Sequence, residues 1–200
     1  MDVKKIVEIY RQHVESLNEI EYKSAAIWYA EARSSIVKLA LIVGTAPTKT
    51  IEAVAGFNQC LSWEQSLVES TAFLIDPICY RRLGRNKFMY YLQHGTVSGS
   101  RKLEDFFCAL LGVENSVPID RHMHVLDGSL TDNRYRLYQS AVYRVAETFK
   151  LAPSNAQAVI WCGIRKAKGL PFAGGSFEVN SVIDKAYTLL QNLNKTALDV

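Results

Sequence analysis

Two hundred residues, 48% hydrophobic and 22% charged, can bury a sizeable core, and they exclude disorder over most of the chain. A formal net charge of +3 excludes a histone-like or polybasic protein while permitting nucleic-acid binding. The polar start MDVKKIVEIYRQH, and the charges that interrupt every apolar stretch before membrane-spanning length, lead us to expect a soluble, intracellular protein with no membrane partner.

Residues 2–18 read as an amphipathic helix, because Val3, Ile6, Val7, Tyr10, Val14 and Leu17 recur at three- and four-residue steps. One longer helix, EYKSAAIWYAEARSSIVKLALIV, follows and ends at Gly44. Pro47 and a Thr48 cap then open a helix in APTKTIEAVAGF. Ser62 and Gln65 have capping-box spacing at the head of SWEQSLVESTAFLI. Asp76-Pro77 and Gly84 punctuate the pattern, NKFMYYLQHG forms one short helix, and residues 95–100 form a Gly/Ser turn.

From Lys102, KLEDFFCALLG places Leu103, Phe106, Phe107, Leu110 and Leu111 on one face. After the VENSVP loop, Asp120 stands at the N-cap of RHMHVLDG. Asp132 caps NRYRLYQSAVYRVAETFK, and Ser154 with Gln157 makes a second capping box opening NAQAVIWCGIRKAKG. LPFAGGSFEV is a loop, and VNSVIDKAYTLLQNLNK returns to helix. No segment argues for a sheet. The expected fold class is all-α, either one domain over residues 1–200 or two helical lobes around a cleft, 21–128 and 1–20 plus 129–200.

The four cysteines, Cys60, Cys79, Cys108 and Cys162, form no C-x-x-C pair or Cys/His cluster, so reduced, mostly buried thiols and no metal site are expected. Arg81, Arg82, Arg85 and Lys87 lie close together and are candidates to meet phosphates. His122 and His124, two positions apart, fall on different faces of a helix and make no metal pair; His122 is the better candidate for a cleft. Trp28, Tyr29, Trp63, Phe107 and Trp161 are candidates to sandwich an extruded base, and Gln59, Glu64, Gln65 and Gln157 to read its edge. Aromatics at helical spacing also serve simply as core.

Lys102 and Asp120 are separated by a helix of roughly 15 Å and a loop able to span about 23 Å, so the chain can return and aim both side chains into one cleft. An amine at the start of a helix, paired with a carboxylate, suits attack at a sugar C1′. The carboxylate steers the proton and stabilises oxocarbenium character as the base departs.

The stretch GSRKLEDFF, followed by VPIDRHMH, resembles the hairpin, lysine and aspartate of the helix-hairpin-helix (HhH-GPD) DNA glycosylase superfamily, in particular its 8-oxoguanine branch. The helices around it, including APSNAQAVIWCGIRK, also resemble an uncharacterised phage and bacterial family with glycosylase-like patterns. The resemblance implies a helix-hairpin-helix glycosylase fold acting on DNA, with Lys102 as Schiff-base nucleophile and Asp120 as catalytic acid. It makes the turn from Gly95 through Gly99 and Ser100 a phosphate-binding hairpin, with Arg101, His122, Trp63 and Trp161 completing the DNA and substrate contacts.

The implied activity is a DNA N-glycosylase with AP-lyase activity that removes a damaged or modified base. It needs no cofactor and works as a monomer in the cytoplasm, with the nucleoid of a bacterial or phage-infected cell. HGTVSGS replaces the usual LPGVG hairpin, and a one-residue shift would put Arg101, which cannot form a Schiff base, in the nucleophile position. Two alternatives therefore stay open: a phage base-modifying transferase on the same scaffold, and a non-catalytic helix-hairpin-helix DNA-binding protein.

Overall fold

A computed structural model describes residues 2–59, 61–82, 90–125, 131–172 and 174–198, and among them every regular element is helical. Helix α1 (Val3–Glu15) starts where the Asp2 carboxylate accepts the Lys4 N–H at 2.9 Å, and it buries Ile6, Tyr10 and Val14 at four-residue steps. The long second helix expected from sequence is two, α2 (Glu19–Ala26) and α3 (Trp28–Val43). Two causes act together. Asn18 and Glu21 form a reciprocal capping box that starts α2 ahead of the apolar pattern, and Ile27 leaves helical geometry at φ −105°, ψ 6°.

Helix α4 (Pro47–Phe57) begins with proline at its first position behind Ala46, which has no side-chain cap, so Thr48 is not the cap expected from sequence. Proline lacks only an N–H that the first turn does not use. Helix α5 (Trp63–Ile75) carries the Ser62–Gln65 box that the sequence suggested. Short helices α6 (Pro77–Arg82) and α7 (Tyr90–His94) follow, then α8 (Arg101–Leu111) and a 3-10 turn, Arg121–Met123.

Thr131, not Asp132, caps α9 (Asp132–Phe149), its hydroxyl accepting the Arg134 N–H. Helix α10 (Pro153–Ala167) again starts on a proline, which sets its origin at Ala152. Ser154 and Gln157 therefore lie inside the helix and are buried, so no second capping box forms. Helix α11 (Val179–Leu198) ends the described chain. Gly84, Arg85 and Lys87 lie outside the described residues, as do residues 86–89 of the helix expected in NKFMYYLQHG.

The chain divides into two compact units, Met1–Ala32 with Cys108–Gly175, and Arg33–Phe107 with Ser176–Val200. In the first, Ile6, Tyr10 and Val14 of α1 share a core with Tyr138, Val142 and Val145 of α9 and with Val159 and Ile160 of α10. Gly163 permits the approach of α1 to α10, since a Cβ there would fall on the His13 carbonyl. In the second, Phe57 and Phe73 pack against each other and each against Tyr80 and Tyr91, edge-on or tilted, with ring centroids 5.5–6.1 Å apart. Among the described residues no helix is long and apolar enough to cross a membrane.

Candidate functional site

Asp120 stands at the cap position expected from sequence, with extended backbone at φ −82°, ψ 156°. It caps the three-residue 3-10 turn Arg121–Met123 instead of a longer helix through RHMHVLDG, of which residues 126–128 lie outside the described residues. Its Oδ1 accepts the Arg121 N–H at 2.6 Å, and its Oδ2 accepts the indole N–H of Trp161 at 3.1 Å. Both donors are rigid, one being backbone and the other a ring held on α10, so the half-buried carboxylate has a fixed orientation. Trp161 is itself held on two sides. The Arg165 guanidinium carbon lies 4.8 Å from its ring centroid, and Trp28 meets it edge-on at 6.1 Å.

Behind this group lies a buried polar chain. The Tyr29 hydroxyl donates to Gln157 Oε1 at 2.7 Å, Gln157 Nε2 approaches the Met123 sulfur at 3.3 Å, and the Tyr10 hydroxyl donates to the Met123 carbonyl at 2.7 Å. Gln157 is thus committed to holding the 3-10 turn, and Trp28 and Tyr29 are buried. His122 is partly buried, and burial pushes its imidazole below the ordinary value. Asp120 opposes that shift, while Lys168, Arg121 and Arg165 reinforce it. Burial also lowers His13, again with help from Lys168.

A histidine kept neutral by the fold binds fewer protons than the unfolded chain does. Its contribution is therefore complete above the unfolded value near 6.5 and is lost as pH falls through the depressed native value. We expect the thermal midpoint to drop between about pH 7 and pH 5, and a His13→Gln, His122→Gln double variant to drop less. Equal slopes for the two proteins would contradict this.

Lys102 is the second residue of α8 and belongs to the other unit, Arg33–Phe107 with Ser176–Val200, whereas Asp120 belongs to the first. Arg101 and Lys102 are both partly buried, ahead of fully buried Leu103. The turn before them uses its own amides. Gly95 N–H donates to Tyr91 O at 2.7 Å, Val97 N–H to Glu52 Oε1 at 3.4 Å, and Ser98 N–H to Thr96 Oγ1 at 3.1 Å. Gly99 N–H donates to Glu104 Oε1 at 2.8 Å and Ser100 N–H to Val97 O at 3.1 Å.

Gly95 at φ +70° and Gly99 at φ +88° allow this tight path. Two glutamates thus stand where a phosphate would have to bind, and a phosphate must displace them. Nothing in the spacing of Glu52 reveals this, since it reaches the turn from α4.

Trp63 packs edge-on between Phe106 at 6.4 Å and Phe177 at 6.3 Å, while Glu64 pairs with Lys185 and Gln65 with Ser62. Phe107 is partly buried on α8, and Gln59 is exposed. Arg81 lies over the Phe73 ring at 5.4 Å. Buried Cys79 and Cys162 and partly buried Cys108 are free thiols, and burial raises Cys162 to about 12. Among the described residues no group of three or more His, Cys, Asp or Glu side chains is placed to hold a metal.

Sequence reasoning passed over Arg165 and Lys168. The signal was present in WCGIRKAK, where tryptophan and arginine four apart share one helix face. A family model described as a family of unknown function (DUF7178) matches residues 2–168, most of the chain. The chain belongs to that family. The match takes in the turn, α8, Asp120 and the whole of the Trp161–Lys168 segment. Comparison with curated proteins and with solved structures returned no match.

Proposed function

We propose that this protein is a DNA N-glycosylase with AP-lyase activity, of helix-hairpin-helix glycosylase type, removing a damaged or modified base such as 8-oxoguanine. The observation that carries the reading is the Asp120 carboxylate, fixed through both oxygens by the Arg121 N–H and the Trp161 indole. A carboxylate held in place near bound DNA suits the stabilisation of positive charge at the sugar as a base leaves.

In this reading the Lys102 amine attacks C1′, the glycosidic bond breaks with its electron pair leaving on the base, and the base takes up a proton. Asp120 accepts the proton released from the attacking amine. The imine formed after ring opening then loses a C2′ proton, and the bond from C3′ to the phosphate oxygen breaks. Arg101 assists by charge alone, since it cannot form the imine.

The test is product analysis on duplex DNA carrying 8-oxoguanine and a panel of other altered bases. Release of free base with strand scission supports the reading. Intact strands and no free base from any member of the panel would contradict it.

One observation favours a second reading. The Arg121 N–H and the Trp161 indole that orient Asp120 both belong to its own unit, so the carboxylate can act without covalent participation by Lys102. In that case the protein is a base-modifying transferase, recognised by altered bases without strand loss.

A further inference from the structure

Three cations of the first unit lie about Asp120 and His122, and two of them, Arg165 and Lys168, are steadied by groups other than carboxylates. Arg165 lies over Trp161 and donates through Nη2 to the Pro171 carbonyl at 3.2 Å, and its Nε is buried with no hydrogen-bond partner among the described residues. Lys168, at the C-terminal end of the same helix, donates to the His122 carbonyl at 3.3 Å. Arg121 carries the N–H that Asp120 accepts, and its side chain is exposed.

A carbonyl or a ring orients a cation without cancelling its charge. Arg165 and Lys168 therefore keep their charge, and the exposed Arg121 adds a third positive side chain beside Asp120. The arginine fork matches phosphate oxygens, and the exposed lysine supplies a point charge. Lys168 reaches the carbonyl of His122, Arg165 covers the indole that holds Asp120, and Arg121 follows Asp120 in the chain, so the three cations share one neighbourhood.

We propose that Arg121, Arg165 and Lys168 bind a backbone phosphate of DNA beside Asp120, a role the turn at residues 95–100 cannot take while Glu52 and Glu104 occupy its amides. The proposal rests on the reading of the protein as one that acts on DNA. It is independent of whether Lys102 forms a covalent bond.

The experiment is a fluorescence-anisotropy titration of a labelled short duplex, with and without a tetrahydrofuran abasic analogue, over a KCl series. Wild type is compared with Arg121→Gln and Lys168→Gln, both at exposed positions, and with Lys4→Gln as a control at the far end of α1 from His13. Each phosphate contact contributes about 0.9 to the slope of log affinity against log salt. Each of the two patch variants is expected to lose about one unit of slope on either duplex, while Lys4→Gln keeps the wild-type slope.

Wild-type slopes in both patch variants would overturn the proposal, as would a wild type that binds neither duplex. Reduced slopes in a protein that releases no base would leave the phosphate site standing and remove the glycosylase reading.

Discussion

Asp120→Asn is expected to slow base release by at least about a hundredfold, within the range of 10²–10⁴ typical of a positioned acid–base group. The substitution is nearly isosteric, so the loss is chemical in the first place: the amide neither accepts a proton nor stabilises positive charge at the sugar. It also disturbs the anchor. Asp120 takes one donor on each oxygen, Arg121 N–H on Oδ1 and Trp161 Nε1–H on Oδ2. Asparagine has a single acceptor oxygen and must turn its NH₂ toward the other donor, leaving one polar contact unmade at a cost of about 1–3 kcal/mol.

Affinity for an abasic duplex should hold or rise slightly, because a negative charge is removed beside the phosphates. The combination of slowed release and retained binding separates a chemical role from a structural one. Base release at the wild-type rate would remove Asp120 from the chemistry.

Gly163→Ala is expected to damage the fold severely for a single added methyl, lowering stability by about 3 kcal/mol, the upper part of the usual range for overpacking. The added carbon meets the backbone carbonyl of His13, not the flexible end of a side chain, so α1 and α10 must move apart. The core of the first unit is built on that contact through Ile6, Tyr10, Val159 and Ile160, and separation loosens all of them at once.

Gly95→Ala is the instructive comparison. Nothing lies within 4 Å of a Cβ there, and only the strain of φ +70° is added, at roughly 1–2 kcal/mol. Urea titration of both variants checks the order. A Gly163→Ala midpoint equal to wild type would show that α1 and α10 do not meet as described.

Local signals in the sequence were read correctly where the cause was local. The stripe of Ile6, Tyr10 and Val14, the Ser62–Gln65 box and the Asp120 cap each depend on residues within one or two helical turns. The same serine-to-glutamine spacing misled at Ser154 and Gln157. Pro153 fixes the helix start two residues upstream, and Gln157 is drawn inward by partners far away in the chain, Tyr29 and Met123.

The break at Ile27 escaped for a similar reason, since the apolar pattern runs through it and only the Asn18–Glu21 cap betrays a separate helix. At the site, Asp120 was legible as a cap, but its tie to Trp161 spans 41 positions. The engagement of the glycine turn by Glu52 spans 45, and such pairings have no signature in spacing.

The central claim is that Lys102 forms a covalent bond to the deoxyribose. The direct measurement is borohydride reduction of the protein on duplex DNA containing an abasic site, followed by peptide mapping of the adduct. The account predicts a stable adduct on Lys102 that disappears in Lys102→Gln and persists in Arg101→Gln. No adduct with the wild-type protein, or one that survives Lys102→Gln, would contradict it.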